Sequence, residues 1–299
     1  MTFLKGLALT LLRFLLFLSL SIFGVALMLN LTILNPNFVI SELNKLDIPS
    51  IAKDFLGQQI PQDEPYVTEI IDNTITDLEP WIREQARDSI YSSYDYFLGR
   101  SESLSLEISL ERPRDSLKDN IREAILLSPP SELAEAPTAL IELYISEAQQ
   151  YVDEVIPPNI KFNENSLSPE VLSQLIEVKQ AIGYVQLTYK VLIALIVLLI
   201  LGIVLIKREV RGATRELGII FITYGAIEYL GIVIAKHLIG TQLLQFSALP
   251  SLQTWLPQLI KDLFVPLEIF SLSLLVAGIA LIVVSFVYKP RQPEAAEAI

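Results

Sequence analysis

A hydrocarbon layer about 30 Å thick is crossed by a helix of roughly 20 apolar residues rising 1.5 Å each, and four stretches of this 299-residue chain approach or reach that length. The first runs from Phe14 to Leu34 and stops at the breaker Asn35-Pro36. The second has an uncharged core from Val191 to Ile206, about 24 Å by the helical rise. It reaches full span by recruiting the turn from Gln186 to Lys190, with Lys190 snorkelling outward. The third runs from Leu217 to Ile239 and contains Glu228, and the fourth from Ile269 to Tyr288 within a segment 264–288. Lys5 and Arg13 resemble the basic start of a signal peptide, but the first apolar run is longer than the usual core of about 7–15 residues. No small-x-small site precedes a polar start, so an uncleaved anchor is expected.

Charge fixes the expected orientation. Lys5 and Arg13 precede span one, Lys207, Arg208, Arg211 and Arg215 fill the loop after span two, and Lys289 and Arg291 follow span four. With an even number of spans these segments share one side, and basic loops stay in the cytoplasm. Residues 35–183 then stand outside. They hold 27 acidic and 11 basic side chains, a net of −16, against 7 and 11, a net of +4, in the rest of the chain; together these give the overall −12. The expected fold class is a membrane all-α protein: four transmembrane helices with a large, mainly α-helical extracytoplasmic domain inserted between helices 1 and 2. Its expected divisions are a cytoplasmic N-terminus with helix 1 (1–34), the acidic domain with its stalk (35–183), helix 2 (184–206), a basic cytoplasmic loop (207–216), helix 3 (217–239), an outer loop with an interfacial helix (240–263), helix 4 (264–288) and a cytoplasmic tail (289–299). Multi-pass insertion in the plasma membrane with both termini cytoplasmic follows.

Within 35–183, apolar residues recur in steps of three and four from Val67 through Ile71, Ile75, Leu78, Ile82, Ala86, Ile90, Tyr94 and Phe97. The pattern predicts one long amphipathic helix ending at Gly99 as a C′ glycine, with a kink or restart at Pro80. Further helices are expected at Asp115–Leu127 and Thr138–Val155, each closed by a Pro-Pro pair (Pro129-Pro130 and Pro157-Pro158), and one or two short ones between Phe38 and Leu56, broken at Pro49. Residues 103–110 alternate with period two and are the one good strand candidate, without an identified partner. Ser168 as N-cap and Pro169 as first helical residue open a helix that meets no further proline before Arg208. A continuous helix of about 60 Å is expected, stalk outside and span two within. Such a helix either simply continues past the membrane surface or couples the domain to the cytoplasmic loop. The acidic surface reads as solvation, or as attraction of cations or a basic partner; Asp63-Glu64 and Glu69/Asp72 are its densest spots, and no calcium-loop pattern is present.

An ionisable group inside a span is a functional candidate because leaving it unpaired costs about 2.5 kcal/mol or more. Glu228 sits 13 residues past Arg215 and Lys190 17 before Lys207, about 20 and 26 Å deep by the helical rise. A polar pair between them is expected, with Tyr224, Tyr229 and Tyr189 as supporting hydrogen-bonding groups. It either fixes helix register or serves a proton relay. Glu268 lies near the outer rim, and Lys236 and His237 read as interfacial. Gly231 with Ala235 and Ser273 with Ala277 are the expected close-approach sites. Trp255, in a short helix lying among the headgroups, is the expected interface anchor.

Several chemistries lack their residues. There is no cysteine, and the single histidine, His237, cannot build a multi-histidine metal site or a distant triad. Phosphate-loop, dinucleotide, nucleophile-elbow and HExxH patterns are absent, and the spans contain no Asp. No catalytic residue, metal or cofactor is expected, and the acidic balance argues against a nucleic-acid partner. The order of spans and domain resembles the permease subunits of lipoprotein-release and cell-division ABC systems. Thr214–Ile220 (TRELGII) is similar to the Arg-Glu-Ile-Gly-rich segment those permeases carry beyond span two. Here it runs almost directly into span three, and the strand-rich outer pattern of those permeases is missing, so no functional residue is carried over. Tetraspanins and claudins share the span count but not the cysteine-free outer loops. The expected role is non-enzymatic: the lipid bilayer as surroundings, with partner binding, self-association, scaffolding or sensing through the outer domain. The alternatives are a permease-like ABC subunit acting on envelope substrates and a small-solute transporter using Glu228.

Overall fold

The computed structural model describes residues 2–56, 65–127, 129, 136–246 and 250–288. Asp63-Glu64, Pro130, Lys289, Arg291 and the tail 289–299 lie outside them. The chain is mostly helical and divides into two compact units. One comprises Met1–Leu34, Tyr184–Gln242 and Ile260–Ile299, the other Asn35–Gly183 and Leu243–Leu259.

Four helices are long and apolar enough to cross a membrane, over Leu4–Leu31, Pro169–Lys207, Val210–Ile239 and Ser251–Val287; residues 169–183 and 251–259 of them belong to the second unit and the rest to the first. They belong to α1 (Thr2–Leu31), α7 (Pro169–Lys207), α8 (Val210–Phe246) and α9 (Pro250–Val287). Leu9, Leu16, Leu20, Leu199, Ile203, Leu217, Ile220 and Tyr224 form the buried seam. The outward faces are equally apolar: Leu205 and Val287 are each more than 70% exposed, at 73% and 74%. Apolar residues on every side of a long helix call for lipid as solvent. The chain is an all-α membrane protein in this sense, with four candidate spans.

Helices α8 and α9 approach closely through glycine. A methyl group on Gly225 would lie 2.6 Å from the Ser271 carbonyl oxygen, and one on Gly278 2.8 Å from both the Gly218 carbonyl oxygen and the Ile222 amide. Only hydrogen fits at such a crossing. The expected small-residue sites lie elsewhere: a methyl on Gly231 meets nothing within 4 Å, and Ser273 is exposed. Buried hydroxyls in this unit turn back on their own helices, Thr32 to the Met28 carbonyl (2.6 Å), Ser271 to that of Glu268 (2.9 Å) and Ser285 to that of Ile282 (2.7 Å). This is the usual way a hydroxyl is satisfied inside a helix.

In the second unit α4 (Pro65–Phe97) is the central element, packed by α2 (Pro36–Asn44), α3 (Ile48–Leu56), α5 (Glu111–Leu127) and β1 (Ser105–Ser109), with α6 (Thr138–Val155) on α5. The helix continues through Pro80 without the restart that was one of the two expectations there. It ends as the sequence indicates: Gly99 has φ +72°, with its amide donating to the Tyr96 carbonyl and that of Arg100 to Asp95. This is the Schellman arrangement, which glycine enters without strain. The break between α2 and α3 falls just before Pro49. Asp47 accepts from the Ser50 amide (3.1 Å) and hydroxyl (2.7 Å), leaving Pro49 in the first turn. These hydrogen bonds hold the Asp47 carboxyl below its ordinary value.

The partner of the 103–110 strand is β2 (Asn159–Asn163), antiparallel, with Leu106 opposite Phe162 and Ile108 opposite Ile160. The alternate positions place Lys161 opposite Glu107, with a 3.2 Å ion pair. A lone two-stranded ribbon is marginal; here Ser92 of α4 donates to the Ser105 carbonyl (3.0 Å). Helix α7 begins as expected, the Val171 amide donating to the Ser168 hydroxyl at 3.4 Å, and is one element to Lys207. Its Lys179 ammonium lies 3.9 Å from the centre of the Tyr96 ring.

The segment read as a loop over 240–263 is a correction. Helix α8 continues to Phe246 and α9 begins at Pro250, so Trp255 lies in the early turns of α9 and not in a separate interfacial helix. Helix α9 also passes through Pro257 and Pro266. These prolines resemble loop residues until the apolar run on either side is taken as one helix.

Candidate functional site

Among the described residues, polar groups of the apolar helices form three clusters within the first unit. The deepest centres on Tyr224, which is 1% exposed. Its hydroxyl donates to the Leu20 carbonyl at 3.1 Å, with the Ser21 and Glu228 side chains beside it. Gly24 makes the room: a methyl there would lie 3.1 Å from the Tyr224 oxygen and 2.9 Å from Leu267. Phe17 and Phe270 meet the Tyr224 ring edge-on, with centroids 5.4 and 6.2 Å away. Glu228, one turn further along α8, is therefore coupled to Tyr224 on its own helix.

The expected Glu228–Lys190 pair does not occur among the ion pairs of the described residues. Lys190 is exposed on α7. Equal depth in two helices says nothing about which faces they turn to each other. Of the three supporting tyrosines only Tyr224 stands beside Glu228. Tyr189 instead stacks on Phe23 (5.3 Å, 16° between planes), and Tyr229 lies at the surface.

A pair that the sequence did not indicate does form. The Lys236 ammonium is 2.6 Å from a Glu268 carboxylate oxygen, linking α8 to α9. Each residue was read singly as lying near the membrane rim, and nothing local to either one points to the other.

The third cluster lies where α1, α7 and α8 meet. Glu216 binds both Arg13 and Lys207, the latter at 2.7 Å. The Arg13 Nε is buried and has no hydrogen-bond partner. Between α7 and α8, Arg208 takes a left-handed conformation, φ 55°, which makes the connection tight. Of the four basic residues read as topology-setting, Lys207 is thus engaged with Glu216, while Arg208, Arg211 and Arg215 are exposed. A cavity of about 330 Å³ opens beside the cluster.

The residues of TRELGII serve this packing. Glu216 is paired, Leu217 and Ile220 belong to the buried seam, and Gly218 meets Gly278. In the second unit, the Trp255 indole N–H donates to the Glu42 carbonyl at 3.2 Å and the Ser251 amide to Asp54 at 3.0 Å. Trp255 is thereby tied to protein, where a headgroup contact was expected. Among the described residues no group of three or more His, Asp or Glu side chains is placed to hold a metal ion. No protein-family model, curated protein or solved structure matches the chain.

Proposed function

We propose that this membrane protein works without catalysis, by binding a partner or further copies of itself through the 35–183 unit. In this reading it is a multi-pass plasma-membrane protein with cytoplasmic termini and the acidic unit outside; the excess of Lys and Arg at 207–215 supports that orientation. One observation carries the binding role. Leu140, Leu143, Tyr144, Tyr151 and Val155 lie along one side of α6 and are between 43% and 67% exposed. Counted from Leu140 they fall three, four, eleven and fifteen residues on, within about a third of the helix circumference, while Ile145 and Val152 are buried beside them. Exposed apolar side chains gathered on one helix face, here interspersed with the exposed Glu147 and Glu154, fit an interaction site. Helix α7, continuous from the second unit into the first, is the proposed output.

The test replaces Leu143 and Tyr151 with Glu in the full chain and compares co-purifying proteins and oligomeric mass in detergent. Loss of a stoichiometric partner, or of self-association, with melting temperature unchanged supports the reading. An unchanged complex, or the absence of any complex in the unaltered protein, counts against it.

A further inference from the structure

We propose that the cavity beside Arg13, Lys207 and Arg215 binds the phosphate of an anionic phospholipid. The cavity, about 330 Å³, is lined by these three cations with Glu216, Gly212 and Ile219 among the remaining walls. One carboxylate against three cations leaves an excess of two positive charges. Glu216 already engages Arg13 and Lys207, and Arg215 has no ion-pair partner among the described residues. Arg215 is exposed and lines the cavity, and its guanidinium group suits a phosphate oxygen.

The depth is that of lipid headgroups. Arg13, Lys207 and Glu216 are each the residue next outside an apolar stretch, beginning at Phe14, ending at Ile206 and beginning at Leu217. Their mutual ion pairs bring the three boundaries to one level of the helix bundle. Ile219 lines the cavity and is 49% exposed. A phospholipid can therefore place its phosphate among the cations while its acyl chains remain in hydrocarbon. Basic pockets between membrane helices are a recurrent form of lipid recognition. A headgroup carrying its own ammonium would bring a further positive charge into the cavity, so an anionic headgroup is selected.

Full-length protein in nanodiscs of phosphatidylcholine alone, or of phosphatidylcholine with phosphatidylglycerol, is released and weighed by native mass spectrometry. Retained phosphatidylglycerol is expected in preference to phosphatidylcholine. Arg215→Gln lowers that retention about fivefold, the effect of one basic residue at an anionic surface. Arg211→Gln, one turn earlier on α8 and outside the cavity wall, leaves it within about twofold because Arg211 is not placed to hydrogen-bond the phosphate. Melting temperature verifies that both variants fold. Equal losses from the two variants would show diffuse attraction by the basic start of α8 and overturn the site. No preference for phosphatidylglycerol overturns it as well. Inorganic phosphate, titrated onto the protein in phosphatidylcholine discs, forms the remaining arm: Arg215-dependent binding there would make the ligand free phosphate and overturn the lipid assignment.

Discussion

Gly225 and Gly231 stand less than two helical turns apart on α8, yet a methyl group has opposite consequences at the two positions. At Gly225 it would meet the Ser271 carbonyl and the Leu275 backbone, at Gly231 nothing. Gly225→Ala is therefore expected to destabilise the first unit by about 1–3 kcal/mol through overpacking. Gly231→Ala is expected to be neutral or to stabilise by up to about 1 kcal/mol through helix propensity. Thermal unfolding of the two variants in detergent distinguishes these outcomes. The charges follow a similar logic. Lys236→Met leaves the Glu268 carboxylate unpaired in an apolar setting and is expected to cost about 2–3 kcal/mol, much of it restored by adding Glu268→Gln; a double-mutant cycle measures this. That Glu228 would be charged inside a span was readable, since it stands out against apolar neighbours, whereas Lys236 read as interfacial. The partner of neither was readable. A helix leaves each residue's depth legible but leaves its rotation to packing, and rotation decided that Glu228 meets Tyr224 and Lys236 meets Glu268.

Elements with strong local punctuation were legible almost to the residue. Thr138–Val155 is α6, Ser168-Pro169 opens α7 and Gly99 closes α4. Gly99→Ala places a side chain at φ +72° and is expected to cost about 1–2 kcal/mol, visible as a lower melting temperature. Features that depend on distant contacts were less legible: α4 does not restart at Pro80, and β2 is recognisable only once β1, about fifty residues earlier, lies beside it. The link between α5 and α6 carries a pH signature. Lys118, with Arg114, holds the Asp153 carboxyl below its ordinary value, and the hydrogen bond from Lys118 is the larger cause. A carboxyl depressed in the folded state contributes stability above its unfolded pKa, about 4, and loses it as pH falls through the lower folded value. The melting difference between the native chain and Asp153→Asn is thus expected at pH 7 and should vanish in acid.

Over the whole molecule, apolar length and charge segregation describe the same division. Four long helices expose hydrocarbon-like surface on their outer faces, and the most acidic part of the chain belongs to the other unit. The proposed binding role and orientation both depend on 35–183 being on the side opposite the basic turn between α7 and α8. The chain has no cysteine, so a single introduced thiol reports its side without background. Ser146 and Glu209, exposed on α6 and in that turn, are suited to the purpose. With a membrane-impermeant maleimide on intact cells, Ser146→Cys is expected to label at once and Glu209→Cys only after permeabilisation. The reverse order, or equal labelling of both before permeabilisation, would contradict the account.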